Sequence, residues 1–262
     1  MKKSAPWLFL ILLVAAFAAW YLLQRPAPES HPSIVALPEV REPATPPKAE
    51  FPLVVNESPG DTPPEPLPPL AQSDEAVSEA LAAIAGAERL GSLLVLEQII
   101  NRLVATVDSL DARQVAPLVW PVRPAEGEFR VEGEQSLRIH PANSSRYDPY
   151  LDLVAATETS RVADFYLRYY PLFQEAYEQL GYEGKYFNDR LVNIIDHLLA
   201  TPGTPETLEV VKVESVYQFT DQRMERLSAG QKVLLRLGAD QRAVVERKLE
   251  DLRAAVAGET KQ

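Results

Sequence analysis

Three oxygen-bearing side chains on one predicted helix are the strongest candidates for chemistry in this chain of 262 residues. Asp189, Asn193 and Asp196 stand at positions i, i+4 and i+7, which places them within about 60° of one another, opposite the apolar side of the helix. Such a row can hold a hard cation or receive a basic partner. The solvated polar face of an ordinary helix has the same pattern, so the spacing leaves both interpretations open.

The sequence contains few patterns that define an enzyme. Cysteine is absent, which excludes disulfides, thiolate metal sites and a thiol nucleophile. A zinc site would need both His140 and His197 plus carboxylates from elsewhere. Neither a G-x-S-x-G elbow nor a glycine-rich phosphate loop occurs. We therefore expect no cofactor and no metal, and we favour a protein that is not an enzyme. A hydrolase with paired carboxylates remains the alternative, with Asp189 and Asp196 as its candidates.

Tyrosine is concentrated in one part of the chain. Eight of the ten tyrosines lie between Tyr147 and Tyr186. A tyrosine has an apolar face and a polar edge. An exposed set beside Arg146, Arg161 and Arg168 could therefore stack on sugar rings or anchor a protein partner. Most of them fall on a buried helical stripe and should lie in the core. Tyr182 and Tyr186, in the turn that follows Gly181, are the leading binding candidates.

The amino terminus has the pattern of a membrane anchor. Lys2 and Lys3 precede an apolar run, residues 6–23, that would reach roughly 27 Å as a helix, close to the hydrocarbon thickness of about 30 Å. The positive-inside rule keeps the amino terminus cytoplasmic and puts the rest of the chain outside. A cleaved signal peptide with an A-x-A site at Ala16 to Ala18 is the alternative, but the apolar run continues past that site.

A proline-rich segment follows the anchor. Residues 26–72 hold fourteen of the 23 prolines, seven acids and two bases, and such a composition cannot bury enough apolar surface to fold. We predict a disordered tether, which as an extended polyproline helix would reach roughly 145 Å. The stretch PEPLPPL at 64–70 is either a docking peptide or part of this spacer. The chain's net charge of −11 makes nucleic acid an unfavourable partner.

Residues 73–262 read as one mainly helical domain. Ser73 and Asp240 are predicted helix caps, Asp148 with Pro149 starts a short helix, and Ser228 with Gln231 forms a capping box. Further helices are expected from about 92 to 110, from 159 to Gly181 through Pro171, and from a cap at 188 or 189 to 199. A hairpin at 129–139 and an extended piece at 211–219 supply a minor strand pair. The segment 117–124 is expected as a loop with a buried Trp120.

Four segments of this domain resemble a known family. They are NSSRYDPY (143–150), RYYPLFQEAYEQLGY (168–182), YFNDRLVNIIDHLLATP (186–202) and LSAGQKVLLRLG (227–238). In this order they resemble the bacterial family catalogued as domain of unknown function 3014, over roughly residues 70–256. The resemblance implies a Gram-negative envelope protein with one amino-terminal span, a proline-rich tether and this domain. No activity and no catalytic residues are established for this family, so the resemblance implies none here.

Together these patterns predict a single-pass protein of the inner membrane. A cytoplasmic stub and anchor occupy residues 1–25, a tether residues 26–72, and a helical domain on the periplasmic side residues 73–262. We expect this domain to be an interaction or scaffold module for an envelope protein or glycan. The alternative function is an envelope hydrolase that acts on a glycan or on peptidoglycan.

Overall fold

The computed structural model describes residues 48–53, 66–214 and 216–257. The predicted anchor and most of the predicted tether lie outside these residues. Within the described ranges, no helix is long and apolar enough to cross a membrane.

The domain is mainly helical, as predicted. The described residues form nine α-helices: α1 (Asp74–Ala85), α2 (Ala87–Leu93), α3 (Ile99–Ser109), α4 (Asp148–Ala156), α5 (Thr159–Gln179), α6 (Phe187–Leu199), α7 (Gln222–Glu225), α8 (Ala229–Leu237) and α9 (Ala239–Val256). Short 3-10 helices occupy Leu70–Gln72, Pro117–Val119 and Pro141–Tyr147.

The two predicted strand regions join into one antiparallel sheet. Its strands are β1 (Val131–Glu132), β2 (Leu137–Ile139), β3 (Glu209–Val213) and β4 (Val216–Phe219), in that spatial order. The region 211–219, expected as one extended piece, instead makes a hairpin that turns at Glu214, where φ is +54°. Val210 pairs with Phe219, and both are buried against Leu235 of α8. The sheet therefore packs on α8, in an apolar cluster separate from the main core.

Helix α5 is the centre of the main core. A kinked helix or two nearly collinear helices were expected around Pro171, and the structure has one helix that continues through this proline. The buried aromatic residues of α5 pack on one another and on Phe187 of α6; they are Phe165, Tyr166, Tyr169, Phe173 and Tyr177. Burial of these rings supplies much of the apolar area that stabilises the domain.

The amino-terminal helices differ from the prediction. A single helix from 92 to 110 was expected, but Gln98 has a left-handed φ of +52° and α3 begins only after it. The carboxylate of Asp74 accepts the backbone N–H groups of Gln98 and Ile99 at 2.7 and 2.9 Å. Ser73 does not cap α1, because its hydroxyl donates to the carbonyl of Leu70. The acidic residue after Ser73 therefore caps a different helix.

The other predicted helix starts have mixed outcomes. The capping box is confirmed: Ser228 Oγ accepts the N–H of Gln231 at 3.2 Å, and Gln231 Oε1 accepts the N–H of Ser228 at 3.4 Å. Asp148 and Asp240 instead lie in the first turns of α4 and α9, and neither helix has a side-chain cap. The expected cap at 188 or 189 is likewise wrong, because α6 begins after Tyr186, again without a side-chain cap.

The loop that contains Trp120 is ordered, but its apolar side chains point outward. Leu118 is 80 % exposed and Trp120 is 39 % exposed, so the predicted burial of Trp120 is wrong. Arg102 donates to the carbonyls of both residues, and Thr106 donates to the carbonyl of Val119 at 2.8 Å. The loop is therefore fixed through its backbone carbonyls rather than through burial of the indole.

Candidate functional site

The start of α6 contains a buried amide with an unusual set of partners. Asn188 is 1 % exposed. Its Oδ1 accepts the hydroxyl hydrogen of Tyr166 at 3.1 Å. Its Nδ2 donates to the carbonyl of Val256 at 3.0 Å and to the carbonyl of Phe51 at 2.7 Å. A buried amide needs such partners, and here it joins α5, α6, the end of α9 and a segment that precedes the helical domain.

Asp189 binds the same segment. Its Oδ2 accepts the backbone N–H of Glu50 at 3.0 Å, and its Oδ1 accepts the backbone N–H of Phe51 at 2.8 Å. One carboxylate thus holds two successive N–H groups, while Asn188 holds the carbonyl of Phe51. Bonds from an ionised carboxylate to N–H groups are among the stronger hydrogen bonds in proteins. All three contacts are to the backbone, as in recognition of an extended peptide.

The side chains of the bound segment add apolar contacts. Phe51 and Leu53 are half-buried and pack against the main core. We call the surface formed by Asn188, Asp189 and the carbonyl of Val256 the Asn188 site. The composition assigns residues 48–53 to the disordered tether, whereas the structure places them on the domain. The reason is local: Phe51 is the only Phe, Trp or Tyr from 26 to 72, and it supplies apolar surface that the rest of this segment lacks.

The three side chains of α6 that were candidates for chemistry lie in different surroundings. Asp189 is bound to the segment just described. Asn193 is exposed. Asp196 accepts two hydrogen bonds from Arg253 of α9, at 2.5 and 2.9 Å. In the described part of the chain, no group of three His, Cys, Asp or Glu side chains is arranged to hold a metal ion. The row seen in the sequence is therefore divided between two internal contacts.

Tyr182 belongs to a charged cluster between α3 and α6. Its ring stacks on Tyr177 with centroids 4.5 Å apart, and its hydroxyl donates to Asp108 at 3.1 Å. That hydrogen bond to a carboxylate raises the pKa of Tyr182. Arg190 pairs with Asp108 at 2.8 Å and with Asp111 at 2.9 Å, and its hydrogen bond lowers the pKa of Asp111. The cluster therefore fixes Tyr182 to the domain.

The two remaining candidates stand apart from this cluster. Tyr186 is half-buried as the residue before α6, and its carbonyl accepts the N–H of Arg190 at 3.3 Å. Arg168 is exposed on α5. The structure thus spreads the six candidates over several surroundings, and only Asp189 forms part of the Asn188 site.

Sequence reasoning missed Asn188 of this site and Phe51 of the segment that the site binds. Asn188 was treated as a helix cap, although it stands in phase with Leu191, Val192 and Ile195 on the apolar stripe. A polar amide at a stripe position indicates a buried group that needs partners. A lone aromatic residue in a proline-rich segment is the matching signal for Phe51. Together the two signals could have indicated that this segment binds the domain.

Comparison with protein families identifies the family that the sequence motifs resemble. The family described as "Protein of unknown function (DUF3014)" matches residues 99–253, which is more than half of the chain. The chain belongs to this family. The match to DUF3014 includes α6 and most of α9, and hence Asn188 and Asp189, while residues 48–53 lie before it. No curated protein and no solved structure matches the chain.

Proposed function

We propose that this protein is a membrane-anchored interaction module of the cell envelope. The apolar run at 6–23 would hold it in the inner membrane with a cytoplasmic amino terminus, and the helical domain would stand on the periplasmic side. The charge pattern around the anchor supports this orientation. The resemblance to DUF3014 is consistent with the same layout.

The proposed activity is capture of an extended peptide at the Asn188 site. The observation that carries it is the double hydrogen bond from the N–H groups of Glu50 and Phe51 to the carboxylate of Asp189. Recognition of backbone alone would be insensitive to sequence. The packing of Phe51 and Leu53 on the core adds a preference for an aromatic residue followed two positions later by an aliphatic one.

The segment 50–53 of the tether is the resident ligand in this proposal. When it is bound, only residues 26–47 connect the anchor to the domain, and 22 residues reach roughly 70 Å when fully extended. When it is released, the connection lengthens to residues 26–65, because Leu67 and Leu70 already pack in the main core. These 40 residues reach roughly 125 Å when fully extended. A partner segment of the same chemistry that replaces it would lengthen the tether. Binding of a partner and the reach of the domain are thereby coupled.

The resident segment has an advantage over any free competitor. A short flexible connection gives an effective concentration on the order of millimolar, so a partner must bind tightly or be locally concentrated to displace it. A peptide segment of another membrane-bound or cell-wall-bound envelope protein meets the second condition. We therefore take an envelope protein, rather than a glycan, as the partner.

Photocrosslinking in intact cells tests this proposal with the full chain. A photoreactive residue at position 193 lies one turn from Asp189 on the exposed side of α6. We expect a discrete protein adduct that increases when Phe51→Ser weakens the resident segment. The adduct should disappear when Asp189→Asn is added, because an amide cannot accept both N–H groups. Gln179→Ala, an exposed change at the end of α5, is the matched control and should leave the adduct unchanged.

Two results would contradict the proposal. If Phe51→Ser lowers protein levels and yields no adduct, residues 48–53 are only the first part of the folded domain. If the adduct is a glycan and is insensitive to Asp189→Asn, the binding face lies elsewhere and the partner is not a peptide. Asp189 and Asp196 are both engaged within the chain, so neither supports the hydrolase alternative.

A further inference from the structure

A pocket of about 350 Å³ lies between the sheet and the start of α9. Strand β2, the 3-10 helix at Pro141–Tyr147, the segment 204–208 and the junction of α8 with α9 line it. Its charged and titratable lining residues are Glu132, Arg138, His140, Glu206 and Arg236. The pocket is separate from the Asn188 site, and a role for it does not depend on the function proposed for that site.

Arg236 is the most informative of these residues. Its guanidinium lies over the ring of the buried Phe219, 4.9 Å from the centroid, and burial lowers the pKa of Arg236. Arginine keeps its charge in proteins, so its N–H donors need acceptors. Within the described part of the chain, no side chain or carbonyl forms a hydrogen bond or an ion pair with it. Arg236 is half-buried, and a cation that is partly withdrawn from water without an acceptor is costly unless a ligand supplies one.

A second, more deeply buried arginine shows how this fold treats a guanidinium with a purely structural role. Arg242 of α9 is 9 % exposed. It donates to the carbonyls of Thr201 and Pro202, to the hydroxyl of Thr204 and to the carboxylate of Glu246, at distances from 2.6 to 3.1 Å. The domain thus supplies four acceptors to one buried guanidinium from its own chain. Arg236 lacks such acceptors and lines a pocket.

Other titratable side chains line the same pocket. His140 Nδ1 accepts the N–H of Ala142 at 3.1 Å, and His140 Nε2 lies 3.9 Å from the carboxylate of Glu132. Arg138 is an exposed part of the lining. The two carboxylates, Glu132 and Glu206, are exposed, and solvent screens their charges. The less exposed charge in the pocket is therefore positive.

We infer that this pocket binds the carboxylate or phosphate group of a small-molecule anion. The fork of Arg236 makes the principal contact, because two parallel N–H groups match the two oxygens of such a group. Arg138 contributes from the more exposed part of the lining. A pocket of this volume has the size of a small-molecule site rather than of a macromolecular interface.

Thermal unfolding of the full chain in detergent tests this inference, with phosphate and acetate as probes. Each anion is titrated while potassium chloride keeps the ionic strength constant. The Tm of the wild-type protein should rise as the anion binds the folded state. Arg236→Met should raise the apparent dissociation constant at least about tenfold, and Arg236→Lys should raise it less because the charge remains. Lys212→Met, which removes a positive charge outside the pocket lining, should behave as wild type.

The two probes distinguish the sources of the anion. A shift with phosphate alone assigns a phosphate ligand, and a shift with acetate assigns a carboxylate. Shifts no larger than those with chloride, or equal shifts in wild type and Arg236→Met, would overturn the inference. If Arg236→Met does not unfold cooperatively, the exposed Arg138→Met serves in its place. It should weaken binding about threefold, and an unchanged affinity in that variant would also count against the site.

Discussion

Asp189 Oδ1 accepts the backbone N–H of Phe51 at 2.8 Å, across 138 positions of the sequence. The contact fixes a short segment of the predicted tether to the first turn of α6. It therefore changes where the folded unit begins, since Phe51 and Leu53 add to a core otherwise made by residues from Leu67 to Ala257.

Asp189→Asn should release this segment while the domain stays folded. An amide keeps one acceptor oxygen but turns an N–H₂ group towards the second backbone N–H, so we expect a loss of about 1–3 kcal/mol. Hydrogen exchange of residues 48–53 should then accelerate at least about tenfold, while exchange within α5 is unchanged. Asn193→Ala on the same helix is the control and should alter stability by less than about 0.5 kcal/mol. Equal exchange in both variants would show that Asp189 does not hold the segment.

Arg190 makes part of the stability dependent on acid pH. Arg190 holds the pKa of Asp111 below its ordinary value of 3.8. The contribution of this pair to the free energy of unfolding is therefore complete above pH 3.8. It is lost as the pH falls below 3.8 towards the folded-state pKa. Arg190→Met should cost about 2 kcal/mol at neutral pH and flatten the change in unfolding free energy between pH 5 and about pH 2.5. Denaturant titrations at a series of pH values measure both effects, and an unchanged acid slope would argue against this pairing.

Ionisation of the buried tyrosines affects the stability of the domain at alkaline pH. Desolvation raises the pKa of Tyr177 to about 12, against an ordinary value of 10.0. The pKa of Tyr177 is higher in the folded state than in the unfolded state. Its contribution to the free energy of unfolding is therefore complete below pH 10 and is lost as the pH rises through about 12. Ultraviolet titration should show tyrosines that ionise only as the domain unfolds. Tyr177→Phe should remove the part of the alkaline transition that is due to this hydroxyl. Ionisation of all tyrosines near pH 10 would contradict the prediction.

Gly230 allows α8 to approach its neighbours closely. A Cβ at this position would lie 2.5 Å from Leu198 Cδ2 and 3.1 Å from the carbonyl oxygen of Leu110. The side chain can move but the carbonyl is backbone, so Gly230→Ala should destabilise the domain by about 1–3 kcal/mol. Gly91→Ala in α2 meets open space and should stabilise by about 0.5–1 kcal/mol. Thermal unfolding of the two variants should therefore shift in opposite directions, and shifts of the same sign would contradict this packing.

The amino-terminal anchor can be tested independently of the folded domain. If the apolar run is an uncleaved anchor, the protein purified from membranes should retain residues 1–25, as measured by intact mass. Deletion of those residues should move it to the soluble fraction, because no other segment is expected to insert. A mature amino terminus just after Ala18 would instead establish a cleaved signal peptide. A reporter that is active only outside the cytoplasm, fused to the carboxyl terminus, tests the orientation.

The sequence by itself determined the elements that depend on nearby residues. The capping box of Ser228 and Gln231 lies within four positions, and helix α5 follows from an apolar stripe that keeps its phase through Pro171. The mainly helical class and the family followed from the same local patterns. These features could be predicted because short-range hydrogen bonds and helical periodicity do not depend on the rest of the fold.

Only the tertiary structure decided which distant groups meet. Asp74 caps a helix that starts 25 positions later, and Asp189 binds a segment 138 positions earlier. The exposure of Trp120 depends on Arg102 and Thr106, whose donors satisfy the carbonyls of its loop. Carboxylates, amides and guanidinium groups can form hydrogen bonds with many different partners at similar energies. The packing of the helices selects among those partners, and one sequence alone does not contain the distances that decide the outcome.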